Sequence, residues 1–388
     1  MSNQELNDGQ GLNDGTEPAR HFFAVLAHVR QHGLSDEVAT LEARFPQAAD
    51  PRLQGEMAKL LGFHFLRRGE PDRAIHWSDL AVERLPRDRD SAYNAIFARF
   101  QNGAFEDAAD HAKAALQRCG EHFEFYSILC TALGALGRMD DVRRYGTRSL
   151  ELKAAATAFP PHDLSSVAVP AFSPGPRNVI GFSLYGSVPK YTEGAVLNAR
   201  AARFVYPGWT CRFYVDDSVS APLRQTLRGE GAQVIGVHGM PADPCGTLWR
   251  FLVADDADVD RFILRDADSL LNVRERVAVD EWIDSGLRFH VMRDHYDQSE
   301  LVLAGLWGGV RGALPPMLPA IRAWFAAQRQ VIGRTADQEF LRSLWPTIRQ
   351  SVLTHDSVFA FGEPRDFPAV GRLPPGCWVG CDWRKLIQ

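Results

Sequence analysis

The chain is 388 residues long, roughly two to three times a typical domain, so two domains and a sizeable core are expected. Its 45% hydrophobic and 23% charged content is that of a soluble globular protein, and a formal net charge of −5 leaves no basic footprint for nucleic acid. No apolar run approaches the ~18 to 20 residues that cross a bilayer, and the polar, acidic N-terminus lacks the layout of a signal peptide. A cytoplasmic protein with no membrane span is therefore expected. The six cysteines are scattered, which fits reduced thiols better than a disulfide framework.

Residues 1–16 carry Asn-Asp-Gly twice and almost no apolar side chains, which predicts a disordered tail. From 17 to 156 the pattern is helical, and Gly69, Gly103 and Gly137 recur at spacings of 34, with Gly33 a further 36 upstream. A period in that range marks an array of helical hairpins, each too small to bury its apolar face alone. In the clearest unit Leu61, Gly62 and Phe65 fall on a first helix, Gly69 in the turn, Ala74 and Ala81 on a second helix, and Pro86 at its close. Ala108 and Ala115 repeat the small residues one period later, while Val142 and Ser149 replace them in the next copy, as a capping repeat would. The pattern resembles the tetratricopeptide repeat, in which small residues stand where paired helices approach most closely. Such a concave array suits an acceptor, a protein partner or self-association into a homo-oligomer.

Residues 157–177 include five prolines and read as a linker or an extended strap. Over 178–388 short apolar runs alternate with amphipathic stretches. Strands are predicted at 178–186, 209–216, 233–237, 261–268 and 289–294, with helices at 192–204, 221–229, near 248–254 and at 274–284. That alternation implies an α/β domain built on a mostly parallel sheet covered on both faces.

Ligands of such sheets sit beyond the carboxyl ends of the strands. The apolar run Phe262, Ile263, Leu264 ends in Arg265, Asp266, Ala267, Asp268, Ser269. On an extended segment Asp266 and Asp268 share a face, and carboxylates about 5 Å apart repel by ~3 kcal/mol at an effective dielectric of about 20. A divalent cation relieves that repulsion, and hard oxygen ligands suit Mg²⁺ or Mn²⁺ completed by diphosphate oxygens and water. Asp-x-Asp also occurs at Asp88/Asp90, Asp256/Asp258 and Asp258/Asp260, but only Asp266/Asp268 directly follows an uninterrupted apolar strand.

Taken together, the first strand, the "WRF" of Trp249 to Phe251, the strand ending in "RDADS", the downstream "DQEFL" and the late "THD" resemble the GT-A glycosyltransferases. More narrowly, the chain is similar to bacterial proteins that join tetratricopeptide-like repeats to such a domain. The resemblance implies a Rossmann-like nucleotide-diphospho-sugar transferase domain over 178–388, with Asp266 and Asp268 holding the metal. Ser183, Tyr185 and Gly186 would lie near the nucleotide, and Asp216 would contact base or ribose. Arg250 would support the diphosphate or the carboxylates, and His355 could complete the coordination. The Gly and Lys-Pro-Trp that follow the metal histidine in one retaining family do not follow His355.

Blander roles are also open. Gly186 can serve a turn, Tyr185 the core, Asp216 a helix cap and His355 a strand-end hydrogen bond. On the acceptor side, Asp294 in "MRDH" and Asp337 in "DQEFL" are the candidates to take a proton, although Asp337 also suits a helix N-terminus. Trp307 in "LAGLWGG" could floor an acceptor site or fill the core. The expected activity is metal-dependent transfer of a sugar from a nucleotide-sugar to a hydroxyl of a glycan or protein acceptor. The alternatives are a non-catalytic repeat scaffold and a nucleotidyl transferase, which would release pyrophosphate.

Overall fold

A computed structural model describes residues 38–157, 159–240, 245–327 and 335–387. The predicted tail at 1–16 and Gly33 lie outside the described residues. The chain divides into two compact units, 1–145 and 146–388.

The first unit is helical: α1 (Val38–Arg44), α2 (Pro51–Arg68), α3 (Pro71–Arg84), α4 (Arg89–Gln101), α5 (Phe105–Cys119), α6 (Phe123–Ala135) and the start of α7 (Met139–Ala155). The repeating glycines are stops. Gly69, Gly103 and Gly137 have φ of 69°, 75° and 74°, a left-handed conformation that a side chain strains and that reverses the chain into the next helix. The repeating alanines are the contact line: Ala74, Ala81, Ala108 and Ala115 are fully buried. At Gly62 a Cβ would come within 2.5 Å of Ser78 Oγ, so α2 and α3 pack too closely for anything larger. Buried Arg99 ties three helices, donating 2.8 Å bonds to both oxygens of Asp79 and a 2.7 Å bond to Asp107. These are stacked helical hairpins of the tetratricopeptide-like kind.

The second unit carries a seven-stranded sheet: β1 (Asn178–Leu184), β2 (Thr210–Val215), β3 (Gln233–Gly236), β4 (Arg261–Leu264), β5 (Phe289–Arg293), β6 (Trp307–Val310) and β7 (Val352–Asp356), in the order β3-β2-β1-β4-β6-β5-β7. Its helices are α8 (Pro189–Val205), α9 (Ala221–Gly229), α10 (Val273–Ser285), α11 (Met317–Ala327), α12 (Ala336–Ile348) and the short α13 (Trp383–Leu386). The stretch predicted as a helix near 248–254 is a 3-10 helix, Gly246–Asp255.

The sheet is mixed, because β6 runs antiparallel to both β4 and β5. Trp307 lies on this strand and is buried against Phe251 and Phe262, with ring centroids 5.8 and 5.5 Å away. It therefore belongs to the core, the second of the two roles open to Trp307, and does not floor an acceptor site. The proline-rich stretch is the strap of the two alternatives. Arg288 donates to Val167 O at 3.0 and 2.7 Å, Arg261 to Pro170 O at 2.8 Å, and His162 N to Thr347 Oγ1 at 2.8 Å. No helix among the described residues is long and apolar enough to cross a membrane.

Candidate functional site

Six of the strands point their carboxyl ends to one edge of the sheet, and β4 delivers Asp266 and Asp268 there. The two do not continue the strand, as an alternation of faces requires. Ser269 N donates to Asp266 O at 3.1 Å, so residues 266–269 form a turn. The turn is fastened from two sides. Asn198 of α8 donates to Ala267 O (3.3 Å) and Ser269 O (2.9 Å), and its Oδ1 accepts from Leu271 N (2.9 Å). From the C-terminal segment, Trp383 N donates to Asp268 O at 2.8 Å, and Ser269 Oγ donates to Gly380 O at 2.9 Å.

Asp266 and Asp268 are each drawn to a different cation. The 3-10 helix presents Arg250, which is buried and donates to Arg265 O (2.9 Å), Asp266 Oδ1 (2.5 Å) and Asp337 Oδ2 (2.9 Å). Burial works against its charge, but Asp266 and Asp337 outweigh that and raise its pKa. Asp268 Oδ2 meets Lys190 Nζ at 2.7 Å. Burial, helped by the neighbouring charge of Asp266, pushes the Asp268 carboxyl above its ordinary range, with Lys190 opposing. Asp337 sits at the start of α12 and is likewise raised, first by burial, with Arg250 lowering it and Asp266 raising it. Three carboxylates and two cations thus share one neighbourhood.

Ser183 holds the 3-10 helix in place. Its hydroxyl donates to Thr247 O at 3.3 Å and accepts from Arg250 N at 3.0 Å. Tyr185 stands edge-on to Trp249 (5.5 Å) and fills the space that a side chain at Gly246 would need. Gly186, at φ 71°, donates its N–H to Ser218 Oγ at 2.7 Å, and Ser218 in turn bonds Asp216 Oδ1 through both its N–H and its hydroxyl. Asp216 therefore orders the turn after β2. A cleft of about 660 Å³, walled by Gly186, Ser187, Ser218, Ser220, Val196 and Trp383, opens beside this turn. Neither Asp266 nor Asp268 lines it. Trp383 joins the two places, because its backbone holds Asp268 and its indole donates to Lys190 O at 2.8 Å.

Two expected site residues are committed elsewhere. His355 Nδ1 is 2.8 Å from His290 Nε2 and its Nε2 is 3.2 Å from Glu281, so neither ring nitrogen is left for a cation at Asp266 and Asp268. Burial lowers the pKa of both histidines. Asp294 accepts from Arg274 (3.1 and 2.9 Å), Ser357 Oγ (2.7 Å) and Val379 N (3.0 Å), which is the bonding of a buried structural carboxylate and not of a base awaiting a proton. Among the described residues no third His, Cys, Asp or Glu joins the pair as a metal-holding group.

Lys190, Asn198 and Gly305 reach the pair without having been singled out by motif. Pro189 at the first position of α8 was the available signal, since it places the next residue at the carboxyl edge of β1. Gly305 just precedes β6. A Cβ there would fall 2.0 Å from Asp266 Oδ2.

No family model and no curated protein matches the chain. Among solved structures it is similar to a mutant O-GlcNAc transferase of Thermobaculum terrenum, at 21% identity and a TM-score of 0.41, over 64% of this chain and 46% of that one. It thus spans less than half of that protein. It is also similar to a mutant MamA (18%, TM-score 0.32, 36% of this chain and 80% of that one) and to MamA MSR-1 (17%, TM-score 0.33, 37% and 82%). Likenesses at these scores say nothing about chemistry, which rests on the geometry above.

Proposed function

We propose that the α/β unit is a GT-A-type glycosyltransferase that moves a sugar from a nucleotide-sugar to an acceptor hydroxyl, with Mn²⁺ or Mg²⁺ held by Asp266 and Asp268. The observation that carries this reading is the fastened turn at the end of β4, which presents Asp266 and Asp268 near enough for the charge of Asp266 to raise the Asp268 carboxyl. The donor set fits a hard divalent cation. Asp266 Oδ2 lies in a hollow that a Cβ at Gly305 would fill, and neither it nor Asp268 Oδ1 accepts a hydrogen bond from another described residue. With only two protein ligands, diphosphate oxygens and water would complete the shell, and the bound cation would stabilise the departing nucleoside diphosphate.

This chain's own residues divide the remaining work. Arg250 orients Asp266 through its hydrogen bond to Oδ1. The cleft between Gly186 and Trp383 would take the nucleoside. Asp337, buried beside Arg250 and raised in pKa chiefly by burial, would be the group to receive the proton of an attacking hydroxyl, once Arg250 turns from it to the diphosphate. The helical repeats would bind the acceptor or a partner protein, or join two copies of the chain. Release of nucleoside diphosphate from a panel of nucleotide-sugars with Mn²⁺ tests the reading. Asp266→Asn and Asp268→Asn should each cut turnover by about 100-fold or more without unfolding the chain. Unchanged turnover in either variant overturns the metal assignment, and pyrophosphate release in its place indicates nucleotidyl transfer.

A further inference from the structure

All six cysteines are free, but two of them meet. Cys377 and Cys381 flank a turn in which Cys381 N donates to Trp378 O at 3.1 Å, and their thiols hydrogen-bond to each other. The pair is asymmetric. Cys381 is 3% exposed, whereas Cys377 is half-buried and donates its thiol to Lys385 O at 3.3 Å. An oxidant in solution therefore reaches Cys377 first. A thiol oxidised beside a second thiol passes to the disulfide and is spared the irreversible acids. The residues between the two cysteines hold the carboxyl edge together: Val379 N donates to Asp294 Oδ2 at 3.0 Å, Gln298 Nε2 to Val379 O at 2.9 Å, and Ser269 Oγ to Gly380 O at 2.9 Å. The pair thus brackets the stretch that fastens the turn after β4.

We infer that Cys377 and Cys381 are a reversible oxidation site, taking a peroxide as oxidant, whose disulfide closes a clasp on the turn that carries Asp266 and Asp268. With hydrogen peroxide, the Cys377 thiolate attacks one oxygen, the O–O bond breaks, and a sulfenic acid forms as the other oxygen leaves as water. The Cys381 thiol then attacks that sulfur, the S–O bond breaks, and a second water leaves with the thiol proton. The two thiols give up two electrons and two protons to the peroxide, and a dithiol reverses the change. The inference does not depend on the transferase reading.

Hydrogen peroxide added to the full chain tests it. The tryptic peptide 373–384, which holds both cysteines, should become lighter by two hydrogens and regain them with dithiothreitol. In Cys381→Ser the reaction should stop at a sulfenic acid on Cys377, captured by dimedone. In Cys377→Ser the buried thiol should react about tenfold or more slowly than the parent pair closes. The oxidised parent should melt about 2 to 4 °C above the reduced form, because the cross-link restricts the unfolded chain, and Cys377→Ser should show no such rise. Cys381→Ala serves if a serine in that buried place melts early. A folded parent whose peptide keeps both thiols, or gains oxygen without losing two hydrogens, overturns the inference, as does a Cys377→Ser variant that reacts at the parent's rate. A disulfide that forms without raising the melting temperature overturns the clasp.

Discussion

Gly305 defines the tolerance of the carboxylate pair. A methyl at this position would meet Asp266 Oδ2 at 2.0 Å, Asp266 Cγ at 2.6 Å and the Asp266 backbone N at 3.1 Å, and Arg250 blocks the other side. Gly305→Ala should therefore push the carboxylate off its position. Nucleoside diphosphate release should fall by about tenfold or more, while overpacking costs about 1 to 3 kcal/mol in a melting or denaturant curve. Normal activity would show that Asp266 is free to move. At this scale the sequence was informative wherever a residue type was improbable in its place. A guanidinium flanked by Trp249 and Phe251 needs carboxylates, and Arg250 has two. It was uninformative where one residue type serves several ends. Asp294 and His355 both occupy strand ends, as catalytic groups do, yet Arg274 and Ser357 take up the one, and His290 and Glu281 the other.

Among the elements, α8 controls the site through Asn198. This buried amide satisfies two carbonyls and one N–H of the turn after β4, and no apolar side chain can replace those bonds. Asn198→Ala leaves three backbone groups unpartnered and should cost about 2 to 4 kcal/mol of stability in urea. Mn²⁺ affinity should fall with it, whereas a stable variant with intact affinity would show the turn to be self-supporting. The alternation of strands and helices was legible because apolar runs such as Val179 to Phe182 have little polar content to place outside a sheet. Strand β6 escaped notice for a physical reason. Half of it is glycine, a poor strand former, and both glycines are there for space. A Cβ at Gly308 would meet Phe262 O at 2.6 Å, and one at Gly309 would meet the Phe262 ring at 2.9 Å. The repeats were legible because glycine at positive φ recurs with the hairpin period.

For the molecule as a whole, acid should act through Glu300. Burial tends to raise this carboxyl, but Lys153 and Arg342 outweigh it and hold the pKa at about 2, below the ordinary 4.5. A depressed carboxylate stabilises the fold above pH 4.5, and that contribution, about 3 kcal/mol for the whole shift, drains away as the pH falls toward 2. Glu300→Gln should therefore be less stable at pH 7 and lose less stability than the parent between pH 4.5 and 2 in denaturant titrations. Parallel curves would remove Glu300 from the acid response. Glu300 lies on the connection from β5 to β6, as Gly305 does, and the reversed direction of β6 gives this connection its character. A parallel strand would oblige the chain to travel to the opposite rim of the sheet before returning. Because β6 runs backward, the segment 294–306 leaves and re-enters on the rim that bears the aspartates. Lengthening, shortening or exchanging that single stretch would reshape the aspartate-bearing rim with every strand left in register.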